Sequence, residues 1–189
     1  MIDPKKITKF NRTQSELEEF WMFCICVAGK NSDVQAKKLN KLINSMKDYK
    51  GENIKPLSSY IKDNWVFRRR LKVFKIGQYK RIHNAFMASK NLNLKTCSLE
   101  DLEAIPGIGP KTARMFLLHS RPRQNYLPLD THICKYLRDN GISKARVGLR
   151  GEVYKEVEKQ GIALLKKQFP KKGMAWIDLN LWKKIRNEN

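Results

Sequence analysis

The run Pro106-Gly107-Ile108-Gly109-Pro110-Lys111-Thr112-Ala113 constrains this chain more than any other stretch. Two glycines two positions apart allow positive φ and let a ligand approach the backbone closely. Pro110 suits the first turn of a helix, where a missing N–H costs nothing. Upstream, Ser98-Leu99-Glu100-Asp101 has the pattern of a capping box, so a short helix starts there with Leu99, Leu102 and Ile105 on its buried side. The reading is helix, tight glycine hairpin, helix. Amides around Gly107, Ile108 and Gly109 then face outward at a helix N-terminus, a natural site for an anion such as phosphate. A hairpin of this kind holds a nucleic-acid backbone without reading its sequence.

The hairpin alone does not make an enzyme, because a lysine that merely sits near phosphate explains the same residues equally well. The next segment bears on this. Leu127-Pro128-Leu129 is a rigid apolar lead-in, and Asp130-Thr131 can cap a helix that begins near His132. A carboxylate at such a position is ordinarily a helix cap. Here it follows a lysine-bearing hairpin.

The charge of the chain agrees with a polyanionic partner. Lys and Arg number 39 against 18 Asp and Glu, a net +21 over 189 residues, while 41% hydrophobic residues exclude a disordered basic tail. A membrane surface is the rival polyanion, but no basic amphipathic helix or lipidation motif supports it. The longest apolar run, residues 20–28, is too short to span a bilayer, and Glu16, Glu18 and Glu19 beside it argue against a signal peptide. Cys24, Cys26, Cys97 and Cys134 have neither a metal-ligand spacing nor a disulfide framework. The expected location is intracellular, in a reducing compartment.

Hydrophobic spacing along the chain is helical throughout and strand-like alternation is absent, so the fold class is all-α. Residues 1–12 read as a loosely ordered basic arm, and 13–189 as one domain. Thr13-Gln14-Ser15-Glu16 is a second capping box, opening a helix on which Leu17, Phe20, Trp21, Cys24 and Val27 recur at helical spacing to about Ala28. Gly29-Lys30-Asn31 breaks it. Ser32 is placed to cap the next helix, which carries Val34, Leu39, Leu42, Ile43 and Met46. Residues 47–56 read as a polar loop and 57–61 as a short helix. Trp65, Phe67 and Arg68-Arg69-Arg70 mix aromatics with cations, as a nucleic-acid face does, although both aromatics also suit a core. A helix follows Gly77-Gln78 with Tyr79, Ile82, Ala85 and Phe86 on one side. Downstream, the hairpin helix spans about 110–119, the Asp130 helix about 132–138, a long helix about 152–168 with Val153, Val157, Leu164 and Leu165, and a last amphipathic helix ends near 186.

Hairpin, Lys111 and Asp130 in this register resemble the helix-hairpin-helix, Gly/Pro-rich, aspartate superfamily of DNA glycosylases. That superfamily includes endonuclease III, the adenine mismatch glycosylase and the 8-oxoguanine glycosylases. The likeness covers roughly residues 14–140 and the C-terminal helix, and the stretch IGQYKRIHNAF resembles the family helix preceding the hairpin. It implies a two-lobed helical fold with the active site between lobes, and it makes Lys111 the Schiff-base lysine and Asp130 the catalytic aspartate. A lysine at that position marks the bifunctional branch, which both excises a base and cuts the strand. The DNA-binding set is Gly107, Ile108, Gly109 and Thr112 of the hairpin, with His132 either contacting a phosphate or simply belonging to the helix start. The resemblance gives Asn31, with Lys30 as the alternative, the part of filling the space left by an extruded base. Asn31 as a mere turn or capping residue is the competing reading.

No cysteine follows Cys134, so the four-cysteine iron–sulfur loop of endonuclease III has no counterpart here. Cluster-free members include the 8-oxoguanine glycosylases, whose segments Leu127-Pro128-Leu129-Asp130 and Asp178-Leu179-Asn180-Leu181-Trp182 resemble. The resemblance implies no required cofactor, allows a monovalent cation at the hairpin, and implies a monomer acting on duplex DNA with a damaged base or an abasic site. His83 and His119 read as surface or satisfied core residues. The expected reaction turns the nucleotide out of the stack, attacks C1′ with the neutral Lys111 amine and cuts the strand by β-elimination. An oxidised base is the expected substrate, 8-oxoguanine ahead of oxidised pyrimidines. A mismatched or deliberately modified base is the alternative, and a non-catalytic DNA-binding hairpin module is the non-enzymatic one.

Overall fold

Thr13 starts the first long helix through a reciprocal cap. Its hydroxyl accepts from the Glu16 amide at 3.3 Å, and the Glu16 carboxylate accepts from the Thr13 amide at 2.8 Å. The computed structural model describes residues 1–46 and 64–187, and the regular structure of those residues is entirely helical. In order the helices are α1 Gln14–Val27, α2 Ser32–Met46, α3 Asn64–Val73, α4 Tyr79–Ala88, α5 Leu99–Glu103, α6 Pro110–Ser120, α7 Thr131–Asp139, α8 Gly151–Gln168 and α9 Met174–Asn187, with a 3-10 turn at Pro4–Lys6. The loop expected at 47–56 and the short helix expected at 57–61 lie outside the described residues. Among the described residues no helix is long and apolar enough to cross a membrane.

The chain divides into two compact units. One comprises Met1–Ile7 and Asn11–Ile108, the other Thr8–Phe10 and Gly109–Asn189. The division falls at the hairpin. The first residues are ordered, contrary to the loose arm expected. Ile2 exchanges two hydrogen bonds with the Asn40 side chain at 2.8 and 2.9 Å, Pro4 and Ile7 are buried, and the Arg12 guanidinium donates to the Ile7 carbonyl.

In the first unit α1 packs against α2 and α4, and α3 against α4. α1 is buried around almost its whole circumference, which its apolar run requires. Trp21 donates its indole N–H to Ser89 Oγ at 2.8 Å, so its polar edge is satisfied at full burial. Two helix faces differ from those the hydrophobic spacing suggested. Val34 is 47% exposed, because Gln35 and Ala36 take the inward positions on α2. Phe67 is core, packed on Phe86 with ring centroids 5.6 Å apart, whereas Trp65 is 65% exposed with the Arg69 guanidinium 5.4 Å from its ring.

In the second unit α9 packs against α6, α7 and α8. The core gathers Leu118, Leu127, Ile133, Leu137, Leu165 and Ile177. α8 turns a partly polar face inward: Tyr154, Val157, Glu158, Gly161 and Leu165 are buried, while Val153 is 53% exposed. Hydropathy spacing found Val157 and Leu165 but misplaced Val153, because the neighbouring Tyr154 and Glu158 are buried for their hydrogen bonds. Gly161 is part of that fit, since a Cβ there would lie 2.7 Å from Leu127 Cδ2 and 3.0 Å from Leu137 Cδ1.

Candidate functional site

Two helix termini position the candidate groups. Ser98 and Asp101 form the reciprocal cap of α5, with bonds of 3.0 and 2.8 Å, and the chain then turns through the hairpin into α6. Gly107 has φ +86°, a backbone conformation that side chains rarely adopt. Its carbonyl accepts from Arg81 Nη1 at 3.1 Å, and Arg81 also donates to Ile25 O at 2.9 Å and to Gln78 Oε1 at 2.6 Å. The hairpin is thus pinned to the end of α1 and the start of α4 through one guanidinium.

The hairpin offers fewer groups to a phosphate than the sequence suggested. Ile108 is 5% exposed and its N–H donates to Ile105 O at 3.0 Å, so that amide is already used. Thr112 is 5% exposed and its N–H donates to Gly109 O at 3.0 Å. It faces the core because the first turn of α6 is itself packed. The N–H groups of Gly107 and Gly109 have no acceptor among the described residues. They remain the two amides suited to an anion.

Lys111 sits in the first turn of α6, half-buried, with Nζ 3.1 Å from Met115 Sδ. Asp130 is the N-cap of α7, and its Oδ1 accepts from the Ile133 amide at 2.8 Å. Burial pushes the Asp130 carboxyl above its ordinary pKa. The strongest charge acting in the opposite direction is Lys111, and His132 adds a smaller effect of the same sign. Asp178 on α9 pushes the pKa further up. The two residues set in register by the sequence are therefore electrostatic neighbours, with a second carboxylate close by. Burial, reinforced by the Asp130 charge, also raises the Cys134 thiol to about 11.

Asp178 was not among the candidates for this site. It receives the Nε2–H of His119 at 3.0 Å, and His119 Nδ1 lies 2.8 Å from Thr8 Oγ1. His119 is fully buried, and its carbonyl accepts from the Lys9 amide at 3.1 Å. His119 is thus a satisfied core histidine that fixes the Asp178 carboxylate. Thr8, His119 and Asp178 are far apart in sequence, and no local pattern joins them.

The lead-in to Asp130 is held by a second buried network. Leu127 and Leu129 are 0% and 2% exposed, and each contributes roughly 1.5–3 kcal/mol of transfer free energy. Fixing each backbone residue costs about 1–2 kcal/mol, so burial offsets ordering only where the backbone polar groups also find partners. Leu127 N donates to Glu158 Oε1 at 2.8 Å. The Tyr154 hydroxyl accepts from Leu129 N and donates to Leu127 O, both at 3.0 Å. Arg114 Nε donates to the other Glu158 oxygen at 2.7 Å, and its guanidinium lies 4.4 Å from the Tyr154 ring centre. Arg114 Nη1 is also 3.4 Å from the Pro110 carbonyl in the first turn of α6.

The turn between α1 and α2 assigns its residues differently from the expectation. Asn31 Oδ1 accepts from the amides of Asp33 and Val34, both at 3.1 Å, so Asn31 and not Ser32 caps α2. The capping alternative describes its geometry. Lys30 Nζ donates to the Ile76 carbonyl at 2.6 Å, and burial lowers its pKa. Gly77 fits beneath it, since a Cβ there would meet Nζ at 2.8 Å. Lys30 is a strut for the loop before α4.

Comparison with known families matches residues 92–119 to the helix-hairpin-helix motif, a match that suggests binding to DNA. Comparisons with curated proteins and with solved structures give no match.

Proposed function

We propose that this protein is a bifunctional DNA glycosylase and abasic-site lyase. The observation that carries the reading is the pairing of Lys111 with Asp130, in which Lys111 acts on the buried carboxyl more strongly than any other charge. The helix-hairpin-helix match and the net charge of +21 support DNA as the partner. The Gly107 and Gly109 amides hold a phosphate on the damaged strand. The nucleotide is turned out of the duplex, which exposes C1′.

Asp130, when ionised, stabilises the cationic sugar as the glycosidic bond breaks and the base leaves with the electron pair. The Lys111 amine adds to C1′ and gives up a proton, which Asp130 accepts. Opening of the sugar ring leaves a protonated Schiff base. Loss of a C2′ proton then expels the 3′ phosphate and cuts the strand. An oxidised base is the proposed substrate, with 8-oxoguanine ahead of oxidised pyrimidines and of mismatched or modified bases.

A second reading has its own observation. Asp130 already serves as a helix cap and Lys111 already contacts Met115, as residues of a purely DNA-binding module would. Duplexes carrying 8-oxoguanine, thymine glycol, dihydrouracil, uracil, a G·T mismatch or an abasic site separate the two, at one fixed salt concentration. The glycosylase reading predicts base release and a borohydride-stable adduct on at least one damaged duplex. Tight binding with neither would leave the DNA-binding module.

A further inference from the structure

Buried ion pairs are a poor source of stability, because desolvating two charges costs as much as their attraction returns, and apolar residues of similar volume do as well or better. Arg114 and Glu158 are nevertheless both buried, at 3% and 8% exposure. Their placement follows the backbone of one segment. Pro128 has no N–H, the Leu127 and Leu129 amides end on Glu158 and Tyr154, and the Asp130 amide turns back to Pro128 O at 2.8 Å. Every N–H from Leu127 to Asp130 is therefore fixed.

A tyrosine hydroxyl that donates to one residue and accepts from the next but one sets the pitch of the chain between them. Burial holds the Tyr154 phenol far from ionisation, so it keeps the proton it donates. The other end of the network reaches the first turn of the helix that carries Lys111, through the Arg114 contact to Pro110 O. The contacts run without a break from the Lys111 turn to the residue before Asp130.

We propose that Tyr154, Glu158 and Arg114 are positioning residues that set where Asp130 stands relative to Lys111. This rests on the glycosylase reading above. None of the three touches substrate. They act by holding the Leu127-Pro128-Leu129 segment, where a displacement of about 1 Å at the reacting groups costs on the order of a hundredfold in rate.

Two variants test it, Tyr154→Phe and the apolar pair Arg114→Leu with Glu158→Met. Single-turnover base release is measured on the panel of damaged duplexes, borohydride trapping on an abasic duplex, and affinity on an undamaged one. Both variants should fold and bind the undamaged duplex within about twofold of wild type. Base release, which depends on Asp130, should fall by about tenfold or more, while abasic trapping, which depends on Lys111, should fall far less. Unchanged base release in a folded variant would overturn the proposal. So would a parallel fall in release, trapping and affinity, which is what general loosening produces. Failure of both variants to fold would make the network a folding element and equally overturn it. If wild type releases no base from any duplex, the glycosylase reading fails first and the proposal with it.

Discussion

Asp130 serves two purposes that one substitution can separate. It caps α7 through Oδ1, and it carries a buried charge whose pKa is raised. A raised carboxylate pKa means that the folded state prefers the protonated form. The resulting penalty is absent below the ordinary carboxylate pKa, grows with pH, and is complete above the raised value. Asp130→Asn keeps an oxygen for the Ile133 amide and removes the charge, whereas Asp130→Ala removes both. Asn and Asp are comparable caps, and losing a cap costs about 1 kcal/mol, or about 3 °C in Tm for a chain of this length. At pH 7 the Asn variant should therefore melt at or above wild type and about 3 °C above the Ala variant. Its advantage over wild type should close as pH falls through the raised Asp130 pKa. Differential scanning calorimetry from pH 4 to 8 reads all three. An Asn variant as unstable as the Ala variant at pH 7, or an offset from wild type that does not change with pH, would refute the argument that burial dominates at Asp130. Both variants should lose base release by orders of magnitude, so a more stable protein would be the less active one.

Three further outcomes follow from the same geometry. Lys111→Gln should abolish borohydride trapping and leave affinity for undamaged duplex within a few-fold, measured by anisotropy at fixed salt; persistent trapping would remove Lys111 from the chemistry. Gly107→Ala would place a Cβ 2.8 Å from Arg81 Cγ at φ +86°, so it should cost on the order of 1 kcal/mol or more in stability and weaken binding to undamaged duplex. Unaltered affinity would mean that the hairpin does not grip DNA. Asp178→Asn removes the one charge that pushes the Asp130 pKa up, against Lys111 and His132, which push it down. The acid limb of the base-release profile should then move to lower pH; an unmoved limb would separate Asp178 from Asp130.

What the sequence disclosed and what it hid divide along chain distance. The two capping boxes, the Pro110 helix start and the Asp130 cap are each complete within four residues, and all of them stand in the structure. Groups that meet across the chain carried no such signal. Arg81 reaches Ile25 O over 56 positions, and Lys30, the alternative to Asn31 for filling the space left by an extruded base, reaches Ile76 O over 46. Glu158 and Tyr154 drew no notice in the sequence, because hydropathy cannot register a polar side chain buried to serve a backbone amide. Asp178 was read only as part of a segment resembling a family helix, since its relation to Asp130 depends on α9 packing against α6 and α7. Thr112 and Ile108 were assigned to DNA by their place in the hairpin, and the packing of α6 turned them inward.

The central claim concerns one amine among many, in a chain with 27 lysines and an N-terminal Met1 that is 91% exposed. The most direct test is to reduce the protein with borohydride on an abasic duplex, digest the DNA and the protein, and locate the sugar remnant by peptide mass mapping. The account predicts the remnant on Lys111, stoichiometric with trapping. A remnant on the N-terminal amine or on another lysine, with the Lys111 peptide unmodified, would contradict it.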